Sequence, residues 1–365
     1  MRIGIDAHMV GAQETGNETY VTGLVDGLRA HSEDLDVIVY NVGSPWTAPY
    51  PHLRFQQLLT GNPYVRLGIE LPLRSFLHGL DVLHMSYVAP IWSAAPIVLT
   101  VHDICYITNP EWFSPRDLRV ASTMVPRSIR KAAHVITDSQ SARHQIIEHY
   151  RVPEDNISAI PIAPGPGAEP VTHDDAVREL ATLNFDLQRP YLLAVGNVQP
   201  RKNLVRLVAA FGELVGSRGH DFDLVIVGPP RFRAKEIIQA AGPVSERVHF
   251  TGYVTDRQLA AWYRCSSVFV FPSLYEGFGL PVLEAMAHGI PVACSNAGAL
   301  PEVCGDAALL FNPLSIDSMV AAVDSILGDT ALRQRLSHAG MARAAEFSWN
   351  RCAELTLAAY EKARA

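Results

Sequence analysis

Short apolar runs rich in β-branched residues alternate with amphipathic stretches of helical period along most of this 365-residue sequence. A first series of apolar runs lies at 2–6, 36–40, 81–85, 97–102 and 135–137. A second series lies at 191–196, 223–228, 248–252, 268–273, 291–295 and 307–311. Parallel strands covered on both faces by crossover helices produce this pattern. The alternation therefore predicts two doubly wound, Rossmann-like α/β domains in tandem.

Proline and glycine crowd together between the two series, in PIAPGPGAEPVTHDD at 161–175. This composition is typical of linkers. We predict a first domain over residues 1–168, a linker over 169–188 and a second domain over 189–348. A last helix, at about 349–365, follows a long helical run. Since ligands of open α/β sheets bind beyond the carboxyl ends of the strands, two such domains are expected to face each other across a binding cleft.

The charge balance and the cysteines narrow the classes of partner and compartment. A formal net charge of -7 argues against a nucleic-acid partner, which requires a basic surface, and favours small-molecule chemistry. The five cysteines are widely spaced and contain no Cys-x-x-Cys pair, which predicts reduced thiols and a cytoplasmic protein. The oligomeric state is not indicated by the sequence.

A basic segment at 116–131 leaves two interpretations open. It contains four arginines and a lysine against the single acid Asp117. A solvated face of a helix explains such a run, and so does a peripheral contact with the inner face of a membrane.

The stretch SLYEGFGLPVLEAMAHGIPV at 273–292 joins a strand to a predicted helix at 280–288. Pro281 suits the first helical turn, where its missing N–H is not needed. Glycines let the backbone approach a ligand closely, and first-turn amides bind anions. The amides expected to point at a phosphate belong to Phe278, Gly279, Leu280 and Val282.

Two carboxylates flank this predicted phosphate site. Because carboxylates repel phosphate but accept hydrogen bonds from hydroxyls, Glu276 and Glu284 are each expected to bind a sugar ring on one side of it. A nucleotide sugar offers that order of groups. The alternative is that Glu276 is a turn residue and Glu284 a surface acid favoured by the helix dipole.

A second loop supplies positive charge. In YLLAVGNVQPRKNLVRLV, Gly196 ends a strand, Arg201 and Lys202 follow in the loop, and Asn203 is placed to cap the next helix. Lys202 could stabilise a diphosphate leaving group as its charge develops. A solvated loop lysine remains the alternative.

The first half of the chain has two candidate loops. His102 and Asp103 follow a strand, and His102 is interpreted either as a contact to the donor sugar or acceptor, or as a structural histidine. Gly16 is expected to open a helix after the first strand. Because Glu14 and Glu18 oppose a phosphate there, an acceptor contact is equally open.

Five segments together resemble the glycosyltransferase family 4 enzymes: EGFGLPVLEAMA at 276–287, PRKN at 200–203, TVHD at 100–103, TGNETY at 15–20 and LPEV at 300–303. The resemblance runs in order along nearly the whole chain, and the pair of glutamates separated by seven residues is highly specific. It implies a GT-B fold and a retaining transfer from a nucleotide-diphosphate sugar, with no metal or other cofactor. It also implies that the last helix packs back on the first domain.

The resemblance assigns roles to individual residues. Glu276 would contact hydroxyls of the transferred sugar, Glu284 the ribose, Lys202 the diphosphate, and His102 the donor sugar. The implied catalytic residues are Glu276, Lys202 and His102. The residues expected to bind substrate are Gly16, Asn197, Arg201, Lys202, Gly277, Phe278, Gly279, Leu280 and Glu284. Many members have arginine where this chain has Asn197, so Arg201 is expected to replace that cation.

The match is best to polysaccharide-assembly mannosyltransferases, which favours GDP-mannose as donor, with UDP-glucose next. The acceptor would be a glycan or a lipid-linked glycan at the cytoplasmic face of a membrane. Two alternatives stay open: an epimerase of the same fold and a non-catalytic subunit that binds nucleotide sugars.

Two Asp-x-Asp triplets, Asp34-Leu35-Asp36 and Asp221-Phe222-Asp223, resemble a metal site of another glycosyltransferase fold. Each precedes a strand at its amino end, so both are expected to be solvated turns, and no metal is assigned.

Overall fold

The structure is a computed structural model that describes residues 1–12, 16–29, 31, 35–42, 53–183, 185 and 189–365. The chain divides into two units. The first unit consists of Met1–Pro110, Pro115–Ala163 and Phe347–Ala365, and the second of Glu111–Ser114 and Pro164–Glu346.

The first unit is built around a parallel sheet. Its strands are β1 (Arg2–Asp6), β2 (Asp36–Asn41), β3 (Leu53–Gln57), β4 (Val82–Ser86), β5 (Ile97–Thr100), β6 (His134–Thr137) and β7 (Ile157–Ala159). Their order across the described part of the sheet is β3-β2-β1-β4-β5-β6-β7. Its helices are α1 (Gly16–Arg29), α2 (Pro63–Val65), α3 (Leu71–Leu77), α4 (Cys105–Thr108), α5 (Pro115–Lys131) and α6 (Gln140–Tyr150). A π-helical turn, Arg66–Glu70, joins α2 to α3.

The second unit repeats this design. Its strands are β8 (Tyr191–Val195), β9 (Asp223–Val227), β10 (Val248–Gly252), β11 (Val268–Phe271), β12 (Val292–Ser295) and β13 (Leu309–Phe311), in the order β10-β9-β8-β11-β12-β13. Its helices are α7 (His173–Thr182), α8 (Leu204–Gly216), α9 (Ala234–Gln239), α10 (Asp256–Cys265), α11 (Leu280–Ala287), α12 (Leu300–Cys304), α13 (Ile316–Gly328) and α14 (Thr330–Ala344).

The prediction of two doubly wound parallel sheets is confirmed, and every predicted strand is present. Two strands were not predicted, β3 and β7, and both lie at edges of the first sheet. Most of β3 is not buried, and β7 has three residues, so neither produces a long apolar run.

Each sheet has one point where the strand order reverses. It lies between β1 and β4 in the first unit and between β8 and β11 in the second, where Leu192 pairs with Val268. Crossovers leave such a point in opposite directions and open a crevice beyond the strand ends. The loops that follow β8 and β11 therefore lie where a doubly wound sheet binds its ligand.

The segment expected to be a linker, 169–188, contains helix α7 instead of continuous coil. Thr172 caps this helix by accepting a hydrogen bond from the Asp175 amide at 3.1 Å. Ala176 and Leu180, one turn apart, are buried on a helix that packs against α10. The second unit accordingly begins at Pro164, before the predicted boundary, because one apolar helix face outweighs the proline and glycine content around it.

The last helix, α15 (Trp349–Arg364), packs on α1 in the first unit. Gly23 leaves the space for the Trp349 ring, since a Cβ at Gly23 would lie 2.0 Å from Trp349 Cε2. Farther along α15, Tyr360 Oη is hydrogen-bonded to the buried His84 Nδ1 at 2.5 Å.

Among the helices of the described residues, none has the length and apolar content that crossing a membrane requires.

Replacing Gly23 by alanine is predicted to lower the free energy of unfolding by about 1–3 kcal/mol, because the new methyl group overlaps the Trp349 ring. Gly212→Ala is the matched control: it lies inside α8 with its nearest neighbour 3.7 Å from the new Cβ, so we expect a gain of up to about 1 kcal/mol from helix propensity. Chemical denaturation measures both. Equal stabilities would show that α15 does not seat on α1 as described.

Candidate active site

The loops that follow β8 and β11 are joined to each other in the second unit. After β8 the chain forms a 3-10 helix, Pro200–Lys202, and the Arg201 carbonyl accepts a hydrogen bond from the Leu274 amide at 2.9 Å. This contact brings the two predicted loops together at the point where the strand order reverses.

Glu276 lies between two cations at this junction. Lys202 Nζ donates to Glu276 Oε1 at 2.7 Å, and Arg201 Nη1 donates to Glu276 Oε2 at 2.5 Å. Arg201 also donates to the Tyr275 carbonyl at 3.0 Å, while Lys202 Nζ lies 4.7 Å from the centre of the Phe271 ring. Both Glu276 and Lys202 are buried, which excludes the solvated-lysine interpretation.

The two cations keep Glu276 ionised. Burial alone would raise the pKa of the Glu276 carboxyl, but the charges of Arg201 and Lys202 lower it to about 2. The carboxylate is therefore negative at any physiological pH. It acts as an acceptor only, which suits hydroxyl groups and cations.

Two glycines make room for this ion cluster. Gly196 has a φ of +143°, and a Cβ there would lie 2.8 Å from Lys202 Cε. Gly298 has a φ of +61°, and a Cβ there would lie 2.5 Å from the carbonyl oxygen of Glu276. Because both backbones are in a region that favours glycine, larger residues would push the cation or the carboxylate out of position.

Asn203 occupies the N-cap position of α8, but the expected side-chain cap is absent. Its backbone is left-handed, with a φ of +56°. Asn203 Nδ2 donates to the carbonyls of Pro272 at 3.0 Å and Pro313 at 2.7 Å. The Asn203 side chain thus links the loop that follows β8 to the residues just after β11 and β13, and it does not cap α8.

Gly277, Phe278 and Gly279 lie in the loop between β11 and α11, and this helix starts at Leu280 as predicted. One expected anion donor is wrong: the Val282 amide donates to the Gly279 carbonyl at 2.9 Å. Amides in the first turn of a helix have no acceptor within the helix and are the ones that bind anions. The role of the 277–280 backbone in binding phosphate stays a prediction.

Glu284 is buried, so the surface-acid alternative is wrong. Tyr263 Oη donates to Glu284 Oε2 at 2.8 Å, and the Gly165 amide also donates to this carboxylate. Burial raises the pKa of Glu284 despite these two donors. On the next turn, His288 Nε2 is hydrogen-bonded to the Gly167 carbonyl at 2.8 Å, so α11 holds the start of the second unit.

Asn197 follows Gly196 in the loop after β8, at the position where many family members have arginine. Its Oδ1 is buried and has no hydrogen-bond partner in the part of the chain that the structure describes. Arg201, the expected replacement, is placed beside Glu276.

His102 forms a dyad with a residue that the sequence reasoning missed. His102 Nδ1 lies 2.7 Å from Asp138 Oδ2, and both side chains are largely buried. Burial alone would lower the pKa of His102, but the Asp138 carboxylate raises it above its ordinary value. His102 Nε2 is buried without a hydrogen-bond partner among the described residues, and the rings of Tyr20 and Tyr87 meet the imidazole edge-on.

The signal for Asp138 was available in the strand pattern. His102 follows β5 and Asp138 follows β6, and these strands are neighbours. The carboxyl ends of neighbouring parallel strands bring such residues together. In the adjacent α4, the Cys105 amide donates to Asp103 at 3.1 Å, so Asp103 caps a turn.

Of the loop between β1 and α1, the structure describes residues 7–12. Helix α1 begins at Gly16, and Glu18 Oε1 accepts a hydrogen bond from the Gly11 amide at 2.7 Å. Glu14 lies outside the described residues.

Comparison with known proteins decides the family. The model described as Glycosyltransferase Family 4 matches residues 15–163, and that described as Glycosyl transferases group 1 matches residues 178–343. O-antigen chain mannosyltransferase B of Escherichia coli is 33% identical to this chain over 72% of it and 70% of that protein. The chain belongs to glycosyltransferase family 4.

One of the mannosyltransferase relatives is much longer than this glycosyltransferase. The serotype-specific mannosyltransferase WbdA of E. coli is 29% identical over 73% of the chain, which spans only 33% of the length of WbdA.

Solved structures show the fold of this glycosyltransferase. Sucrose-phosphate synthase of Thermosynechococcus elongatus aligns with a TM-score of 0.77 at 23% identity, over 99% of this chain and 98% of that one. Anabaena HepE in complex with UDP-glucose aligns with a TM-score of 0.75 at 19% identity, over 98% of this chain and 99% of that one. The expected GT-B fold is confirmed.

The Asp-x-Asp triplets of the glycosyltransferase do not behave alike. Asp36 pairs with Arg2 at 2.6 Å, while Asp34 lies outside the described residues. In the second triplet Asp221 is exposed, as expected for a solvated turn. Asp223 is buried and lies 3.2 Å from His249 Nε2, so the expectation is wrong for Asp223. The neighbouring strands β9 and β10 place these two residues together.

Asp138→Asn is predicted to lower the pKa of His102 below its ordinary value, since burial remains and the balancing charge is lost. The raised pKa of His102 in the wild type contributes stability below the unfolded pKa of about 6.5, and this contribution disappears as the pH rises through the folded value. The stability lost in the variant should therefore be largest below about pH 6, at about 1–3 kcal/mol, and smaller at alkaline pH.

NMR titration of the His102 ring and unfolding at acidic and alkaline pH measure these effects. Asp117→Asn, at an exposed position on α5, is the matched control. An unchanged His102 titration in Asp138→Asn would show that the dyad does not control the imidazole.

Proposed function

We propose that this glycosyltransferase moves a hexose from a nucleotide-diphosphate sugar to a glycan or lipid-linked acceptor, with retention of the anomeric configuration. GDP-mannose is the favoured donor, since relatives such as O-antigen chain mannosyltransferase B are named as mannosyltransferases. UDP-glucose is next, since the structural neighbour HepE binds it. No metal or other cofactor is proposed to take part, and the acceptor is placed at the cytoplasmic face of a membrane.

The observation that carries the proposal is the group formed by the buried Glu276 and Lys202 and the partly buried Arg201 at the point of strand reversal. Its net charge is positive, because one carboxylate meets two cations. A diphosphate would compete with Glu276 for the ammonium and the guanidinium, which both form charge-assisted hydrogen bonds with phosphate. The released oxygens of Glu276 would then accept hydrogen bonds from hydroxyls of the transferred hexose.

This exchange links binding to catalysis. As the bond between the anomeric carbon and the diphosphate breaks, negative charge develops on the leaving phosphate, and Lys202 stabilises it more strongly than in the ground state. The acceptor hydroxyl attacks from the same face as the departing phosphate and transfers its proton to a phosphate oxygen. The products are a new glycoside and the free nucleoside diphosphate.

Glu284 and His102 complete the proposal. Glu284 is proposed to hold the ribose hydroxyls from α11, in a position fixed by Tyr263 and Gly165. His102 is proposed to contact the donor sugar through Nε2, the ring nitrogen that Asp138 does not occupy. Asn197, Gly16 and the 277–280 backbone are proposed to contact substrate as the sequence predicts.

Product analysis tests the proposed reaction. The chain is incubated with GDP-mannose or UDP-glucose and a panel of lipid-linked and free glycan acceptors, and the products are separated and weighed by mass spectrometry. We expect a new hexoside and one nucleoside diphosphate per transfer. An isomerised donor would point to an epimerase, and donor binding without any product would point to a non-catalytic subunit.

Lys202→Met is expected to reduce transfer by about a hundredfold or more, because the leaving phosphate loses its cation. Lys235→Met is the matched control, since Lys235 is exposed on α9, and it should transfer at the wild-type rate.

The two glutamates are predicted to differ in what they bind. Glu276→Ala should abolish transfer while the affinity for the bare nucleoside diphosphate is kept or increased, since the cations lose a competing carboxylate. Glu284→Ala should weaken that affinity about tenfold, as expected for a lost hydrogen bond to a charged group. Calorimetry with GDP and UDP measures both, after thermal melting has shown that each variant is folded. An equal loss of nucleotide affinity in both variants would contradict this assignment of roles.

A further inference from the structure

One helical segment of the first unit, 63–77, exposes apolar side chains along its length. It comprises α2, the π-helical turn and α3. The exposed residues recur every one to four positions and form what we call the apolar stripe: Val65, Ile69, Leu73, Phe76 and Leu77. Phe76 is 67% exposed and Leu77 71%. Residues at this spacing share one face of a helix.

The opposite face of the same segment is buried and contains the charges. The Arg66 guanidinium pairs with the buried Asp6. Glu70 accepts hydrogen bonds from the Leu59 amide at 2.9 Å and from Arg74 at 2.8 Å. A water-facing helix has the reverse distribution. The acid of this helix is thus neutralised inside the unit, and the exposed face is left without negative charge from it.

A neighbouring loop extends the apolar stripe. The Ile91 amide donates to the Leu67 carbonyl at 3.0 Å, which fixes the loop against the helix. Ile91 and Trp92 are both exposed, Trp92 at 43%. Tryptophan and tyrosine favour the boundary between water and lipid, where a ring meets both. Tyr64, at the start of the helix, is exposed as well.

Helix α5 provides a basic border to this loop. Lys131 Nζ donates to the carbonyls of Pro90, at 2.9 Å, and Ile91. The same helix exposes four arginines: Arg116, Arg119, Arg127 and Arg130. Since the whole chain has a net charge of -7, these cations are a local concentration and not part of a general basic surface.

We propose that this face of the first unit binds the surface of an anionic lipid bilayer. The apolar stripe, Ile91 and Trp92 would enter the headgroup region, and the arginines of α5 would pair with lipid phosphates. Soluble monomers seldom expose a contiguous apolar patch of this kind without a partner. An anionic bilayer satisfies the apolar and the positive part of the surface at once, whereas a second copy of the chain would bring a further set of arginines.

The proposal extends the proposed function and does not depend on it. Membrane binding would hold the enzyme where a lipid-linked acceptor lies. The binding itself needs neither donor nor acceptor, so a chain that transfers no sugar could still bind vesicles.

Flotation of the full chain with vesicles tests the proposal. The vesicles are phosphatidylcholine alone, or phosphatidylcholine with about 30% phosphatidylglycerol. We expect binding to the anionic vesicles, at least tenfold weaker binding to the neutral ones, and release in about 0.5 M salt, where the charges are screened. In vesicles of brominated lipid, tryptophan fluorescence should be quenched, and this quenching should largely disappear in Trp92→Phe.

The double variant Phe76→Ser, Leu77→Ser should bind anionic vesicles about tenfold more weakly or worse, because two apolar side chains that would enter the bilayer are lost. Leu314→Ser, at an exposed apolar residue of the second unit, is the matched control and should bind as the wild type does. Thermal melting verifies that both are folded. Wild-type binding by the double variant, or no binding to anionic vesicles by the wild type, would overturn the proposal. So would a dimer in sedimentation that the double variant loses, since a second copy would then cover the stripe.

Discussion

A buried carboxylate held between two cations is the interaction on which the rest of the candidate site depends. Glu276 belongs to the loop after β11, and Lys202 and Arg201 belong to the loop after β8. Their ion pairs therefore join the two loops at the point of strand reversal. Removing one partner of such a pair leaves an unbalanced buried charge at a cost of about 3–5 kcal/mol. Asn203, Gly196 and Gly298 are best understood as supports for this group, through two carbonyl contacts and two close approaches.

The same interaction supports the proposal that the site binds a diphosphate sugar. The ion pairs of Glu276 satisfy one acid with two cations, and the remaining positive charge would attract an anion. The low pKa of Glu276 means that this carboxylate cannot be neutralised by a proton near neutral pH, so only other donors can replace the cations beside it. Sugar hydroxyls are such donors, and a phosphate is the acceptor that the cations would gain.

The strand pattern predicted the two sheets, and the glutamate motif predicted the loop and helix that carry Glu276 and Glu284, because both are properties of short segments. The buried parallel strands were recognisable as apolar runs. Strands β3 and β7 were not, because strands at the edge of a sheet do not need to be apolar on both faces. Contacts between distant segments were beyond the pattern. The carbonyl contacts of Asn203, the Gly165 amide on Glu284 and the Asp138 partner of His102 all join residues far apart in sequence. The amide of Val282 was misjudged because its acceptor is a local carbonyl.

The most direct test is a crystal structure of the enzyme with GDP-mannose or UDP-glucose bound. Lys202 Nζ and Glu276 Oε1 are 2.7 Å apart in the structure. The account predicts that donor binding separates them beyond the ion-pair limit of about 4 Å, with Nζ on the diphosphate and Glu276 on a sugar hydroxyl. A bound donor whose diphosphate lies away from Lys202, with this ion pair intact, would contradict it.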